Sequence, residues 1–126
     1  MTTDTREVVA GLGRMGVFDI TTTGRKTGRL RRLEIVYHVI DGRLYVSGIP
    51  MPRRRGWLAN LDANPALTLH LRKPIQADMP ATARIIDGEA ERRSLLPQIA
   101  ANWGRADLEL MVRQSPLIEV TIQAPA

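Results

Sequence analysis

Cysteine is absent from this 126-residue chain, which excludes disulfides, thiolate nucleophiles and cysteine-ligated metal sites together. Aromatic residues are nearly as scarce. Two Trp, two Tyr and one Phe are too few for the stacking surface that holds single-stranded nucleic acid, so no specific nucleic-acid partner is expected. The two histidines, His38 and His70, have no adjacent acid at a familiar metal-ligand spacing. Both read as surface or barrel-rim polar residues, and no metal is assigned. No apolar run approaches the ~20 residues of a membrane span. Met1 to Asp4 lacks the basic-then-apolar pattern of a secretory signal, and the expected location is the cytoplasm. Ser47, Ser94 and Ser115 stand outside any G-x-S-x-G context, while Glu89 and Glu91 fit an exposed helix start. No catalytic residue is assigned, and an enzyme of this composition would draw its reactive atoms from a cofactor.

What is present begins with charge. The length suits one domain spanning residues 1–126, and 44% hydrophobic with 25% charged residues is ordinary for a globular protein. The net charge of +5 is unevenly placed. Residues 24–55 hold nine Arg or Lys against Glu34 and Asp41, whereas residues 81–126 hold five arginines against six acids. A positive field on one part of a small domain concentrates anionic ligands there.

Hydrophobic periodicity supplies an element order. Residues 4–15 read as a short helix with Asp4 as a possible N-cap. Residues 17–23 follow as a strand with Phe18, Ile20 and Thr22 on one face. Strands over 33–40 and 43–48 flank Asp41-Gly42, a two-residue turn whose geometry matches strand twist. That turn pairs Val39 with Leu44, Tyr37 with Val46 and Ile35 with Gly48. One face then carries Leu33, Ile35, Tyr37, Val39, Leu44 and Val46 to the core, and the other is mixed. A short helix ends at Asn64-Pro65. Leu67, Leu69 and Leu71 mark a fourth strand, and residues 77–86 a weaker fifth. A helix opens at Asp87 or Gly88 and is kinked or divided at Pro97. A further helix covers 105–114, and 117–122 closes the chain as a sixth strand. The fold class is mainly β (α+β): a six-stranded antiparallel barrel with one inserted helix and a late helix pair.

Two basic stretches stand out against this frame. Thr21-Thr22-Thr23-Gly24-Arg25-Lys26-Thr27-Gly28 leads straight into Arg29, Arg31 and Arg32, placing five cations in eight positions at a strand-to-strand turn. The stretch lacks the spacing and the following helix of a nucleotide-binding P-loop. Arg53-Arg54-Arg55 precedes Trp57 at a loop-to-helix junction, and a helix N-terminus beside three guanidinium groups is a good anion site.

Read together, I-T-T-T-G-R-K-T-G at Ile20 to Gly28 and W-x-x-N-L-x-A-N-P at Trp57 to Pro65 resemble the deazaflavin-dependent nitroreductase family of split β-barrel proteins, with the Asp41-Gly42 hairpin in the family's place between them. The resemblance covers residues 17–72 well and the remainder in outline. It implies that coenzyme F420, a deazaflavin bearing a phosphate and an oligoglutamate tail, lies between the basic turn and the loop before the first internal helix. On that resemblance Arg25 and Lys26 lie near the phosphate and tail, and Arg31 opens the next strand beside them. Trp57 and Asn60 flank the deazaflavin, and Ser47 and Gly48 meet the ring system. Arg53, Arg54 and Arg55, read as an anion site from their own charge and not from the resemblance, are added to the cofactor-binding residues. The chain departs from the family in its basic 49–55 loop and in Glu34, which stands where proline is common.

The activity implied is hydride transfer between F420 and a small conjugated, quinone-like or nitroaromatic acceptor. The alternatives are a non-catalytic split barrel carrying a flavin such as flavin mononucleotide, haem or a fatty acid, and an interaction module for nucleic acid or an acidic partner. Tyr37, His38 and Tyr45 are candidate proton donors without an assigned role. Split barrels also pair across sheet faces, so a homodimer is compatible with the sequence.

Overall fold

The computed structural model describes residues 5–72 and 76–123; Asp4, the expected N-cap, lies outside them. Six strands, β1 (Met15–Thr23), β2 (Leu30–Ile40), β3 (Arg43–Ser47), β4 (Ala66–Leu71), β5 (Ala77–Ile85) and β6 (Leu117–Ile122), close into a barrel in the order β1-β2-β3-β6-β5-β4. Every neighbouring pair is antiparallel. Four helices accompany them: α1 (Thr5–Gly11), α2 (Gly56–Ala63), α3 (Glu89–Trp103) and α4 (Leu108–Gln114).

The β2–β3 register follows from its turn. Asp41 and Gly42 both take positive φ, 52° and 75°, the conformation a two-residue hairpin of this hand requires. Val39 faces Leu44 and Tyr37 faces Val46, as alternation predicts. The expected Ile35–Gly48 pair does not form, because the ladder ends at Val36–Ser47. The first helix stops at Gly11 rather than residue 15. Gly13 turns the chain at φ 77°, and Met15 already pairs with His38 in β1. Gly16 is obligatory there, since a Cβ would lie 2.5 Å from the Tyr37 hydroxyl. Pro97 does not divide α3 into separate helices. It sits on the exposed side of one continuous helix, where the carbonyl it leaves unbonded can face water. The last helix begins at Leu108, not residue 105, because Gly104 in the left-handed region ends α3 first.

Two apolar clusters form. Inside the barrel, Phe18, Ile20, Tyr37, Val46, Leu69 and Ile118 belong to the larger one, with the Phe18 and Tyr37 rings stacked at 4.8 Å. Outside it, α3 and α4 bury Leu96, Ile99, Met111 and Val112 against Tyr45 and Leu117. The face of β2–β3 read as mixed is therefore largely covered. His38 is a correction: it is not a surface or rim residue but fully buried, because α3 lies over it with Asn102 and Trp103 against the imidazole.

Candidate functional site

The basic turn is closed by its own backbone. The Gly24 amide donates to the Arg29 carbonyl at 2.8 Å and the Gly28 amide to the Gly24 carbonyl at 2.9 Å, with Gly28 at φ 71°. Asn60 of α2 then clamps the turn from beneath. Its Oδ1 accepts from both the backbone N–H and the guanidinium of Arg25, each at 3.1 Å. Its Nδ2 donates to the buried Thr22 hydroxyl at 3.3 Å. Asn60 is itself buried, so its amide is a fixed bracket between α2 and the end of β1.

This clamp creates a groove of about 410 Å³ between the turn and α2. Arg25, Lys26, Arg31 and Arg32 line it with Leu33 and Trp57, and among the described residues no carboxylate does. Arg32 is partly neutralised by Asp19 at 2.9 Å; among the described residues Lys26 and Arg31 make no ion pair. Four cations, an indole and no acid suit a ligand with a flat ring and several negative charges.

The remaining predicted residues gather elsewhere. Arg53, Arg54 and Arg55 line a second cavity, of about 530 Å³, between the 49–55 loop and the α3–α4 pair. Arg55 lies against Gly48, where a Cβ would come within 3.2 Å of its guanidinium, and donates to the Ile49 carbonyl at 2.9 Å. Ser47 is buried, and its hydroxyl donates to the Pro116 carbonyl at 2.7 Å. The structure thus brings Arg25, Lys26, Arg31, Trp57 and Asn60 together. It places Arg53, Arg54 and Arg55 on the far side of the α2 N-terminus, with Ser47 and Gly48 behind them. No side chain caps that N-terminus.

None of the three candidate proton donors lines either cavity. The Tyr37 hydroxyl donates to the Leu12 carbonyl at 2.6 Å, and burial raises the pKa of both Tyr37 and Tyr45. Burial lowers that of His38 to about 4. His70 is held between the Thr21 hydroxyl and Asp78 on the outer barrel face. Sequence reasoning missed Arg32 and Leu33 in the first groove and Arg92, Arg113 and Ser115 in the second. Arg92 had a signal, since it stands four and seven residues before the buried Leu96 and Ile99.

A family model for F420H2-dependent quinone reductases matches residues 2–124. The chain belongs to that family. F420 is accordingly the cofactor and the chain an F420-dependent reductase. The acid-free groove fits this assignment, because the cofactor's phosphate and oligoglutamate tail require cations without competing carboxylates. Solved structures agree on the fold. The chain is similar to the F420-H2 dependent reductase FDR-A, at 22% identity over 83% of this chain and 93% of that one, TM-score 0.61. It is also similar to a putative 5-nitroimidazole antibiotic resistance protein from Bacteroides thetaiotaomicron, at 14% identity over 98% and 82%, TM-score 0.66. A third likeness is to the haem storage protein HutZ from Vibrio cholerae, at 13% identity over 85% and 81%, TM-score 0.62. No curated protein sequence matches significantly. The split-barrel architecture is shared by all three, and among the described residues no helix is long and apolar enough to cross a membrane.

Proposed function

We propose that this quinone reductase family member holds F420 in the groove between the basic turn and α2 and reduces a small quinone-like or related conjugated acceptor there. The observation that carries the reading is the groove itself: four cations and an indole, with no carboxylate among the lining residues. Reduced F420, when bound, supplies a hydride. Arg25, Lys26 and Arg31 hold its negative groups, and Trp57 offers an apolar wall that keeps water from the ring. Asn60 acts as a positioning residue: it fixes Arg25 in backbone and side chain and so presets the turn.

Among the described residues that line the groove there is no histidine, tyrosine or acid. Its residues therefore stabilise negative charge developing on an acceptor oxygen through guanidinium groups, and the proton that completes the reduced acceptor comes from water. The test is anaerobic turnover of reduced F420, followed by its absorbance change, with a naphthoquinone and with a nitroimidazole as acceptors. The reading expects turnover with the quinone and a fall of about tenfold or more in kcat/KM for Arg31→Ala. No turnover with either acceptor would sink the assigned acceptor class.

A further inference from the structure

The run Thr21-Thr22-Thr23 leads into the basic turn, and strand alternation divides its side chains between two faces. Thr21 is turned to the outer face of the barrel, where its hydroxyl meets His70 Nε2 at 2.6 Å. Thr22 is turned inward, in the row begun by Phe18 and Ile20, and is only 1% exposed. Those two neighbours are apolar core residues. A hydroxyl at the next inward position therefore carries a desolvation cost that valine would avoid.

That hydroxyl has a partner. It accepts from Nδ2 of Asn60 at 3.3 Å, and among the described residues it is the one acceptor for that amide nitrogen. Asn60 is buried as well, so Nδ2 cannot turn to water in its place. A side-chain amide carries its donor and its acceptor on opposite corners. With Nδ2 held by Thr22, Oδ1 faces the turn, where it accepts from the Arg25 backbone N–H and guanidinium at 3.1 Å each. Thr22 also stands opposite Arg31 in the β1–β2 ladder, and Arg31 lines the groove. One buried residue thus lies beneath both arginines, beside Arg31 in the sheet and one hydrogen bond behind the amide that holds Arg25.

We propose that Thr22 is a positioning residue for F420, its buried hydroxyl locking the Asn60 amide that presets the Arg25 turn for the cofactor's negative groups. This role rests on the reading that F420 lies in the groove between the turn and α2. Thr22 is not among the residues that line the groove, so it acts through Asn60 and not by contact. Without the hydroxyl, Nδ2 is left buried and unpaired. The amide then shifts toward another acceptor, and that movement takes Oδ1 off the two Arg25 donors. The turn keeps its own backbone bonds, Gly24 to Arg29 and Gly28 to Gly24, but is no longer fixed against α2. F420 must then restore that placement as it binds, and its affinity falls.

Two matched pairs isolate the hydroxyl: wild type against Thr22→Val, and Thr22→Ser against Thr22→Ala. Each protein is titrated with oxidised F420 by fluorescence, with melting temperatures measured alongside. A positioning role predicts that Thr22→Val binds F420 about fivefold or more weaker than the wild type. Thr22→Ser should bind near the wild-type level although it loses a buried methyl and melts lower, while Thr22→Ala binds as weakly as Thr22→Val. In an Asn60→Ala background Thr22→Val should cost no further affinity, because the residue it acts through is gone. Equal affinity within either pair would overturn the role, and so would a full further loss in the Asn60→Ala background. Each pair decides by itself should a variant of the other fail to fold. Lys26→Ala/Arg31→Ala separates this role from the reading beneath it. Loss of F420 binding there, with equal affinity within the pairs, removes the role of Thr22 alone. Full affinity there removes the reading and this role with it.

Discussion

His38 is completely enclosed, with Nδ1 beside the Asn102 amide at 3.2 Å, Trp103 across its ring at 5.8 Å and no partner at Nε2. With the Asn102 N–H donating to Nδ1, the ring proton sits on Nε2. Burial holds its pKa near 4, against an ordinary 6.5. In the unfolded chain the imidazole protonates as pH falls below about 6.5, while in the native state it resists until about 4. Across that window the unfolded state binds more protons, so stability is lost as pH falls. Between pH 7 and pH 5 the loss from this group is about 2 kcal/mol. His38→Leu, with no group to titrate, should lose markedly less stability over the same interval in urea unfolding; equal losses would contradict the burial argument. Asn60 acts by another route. Asn60→Ala removes three hydrogen bonds from the clamp, and F420 affinity should fall about tenfold with a stability cost of about 1–2 kcal/mol, read by titration and by urea unfolding. An unchanged affinity would mean that the turn holds its shape without α2.

At the scale of elements, α4 depends on one side chain of α3. The Arg92 guanidinium binds three carbonyls at and just beyond the end of α4, those of Met111, Val112 and Ser115, and that of Ile86 after β5. Arg92→Ala leaves those buried acceptors unpaired and should cost about 3 kcal/mol or more. Arg92→Lys should recover less than half, since an ammonium has no planar fork to span four acceptors. Urea unfolding checks both. Elements with strong periodicity were legible in the sequence. Alternation and Asp41-Gly42 gave the β2–β3 register, and β6 matches its expected bounds because Pro116 and its apolar run leave no competing reading. What was not legible depends on contacts distant in the chain. Nothing local to Tyr37-His38-Val39 reveals that α3, some sixty residues later, covers the outer face. The sequence could not show that Asn60 binds Arg25 rather than a ligand, or that the α2 N-terminus separates Arg53–Arg55 from the basic turn.

Across the whole molecule, the basic half of the chain resolves into two cavities on either side of the α2 N-terminus. Among the described residues, one has no acid on its walls and the other has three, all engaged by Arg54 and Arg93. The family assignment says that F420 binds, and the groove between the basic turn and α2 is where we propose it lies, on the charge of the described lining residues. The most direct test is a fluorescence titration with oxidised F420 of the wild type, Lys26→Ala/Arg31→Ala and Arg53→Ala/Arg113→Ala, with melting temperatures measured alongside. The account predicts saturable binding to the wild type and a loss of affinity of about tenfold or more in Lys26→Ala/Arg31→Ala at unchanged melting temperature. It predicts near-native affinity in Arg53→Ala/Arg113→Ala. Full affinity in the first variant with its loss in the second would place the cofactor in the other cavity and contradict the account.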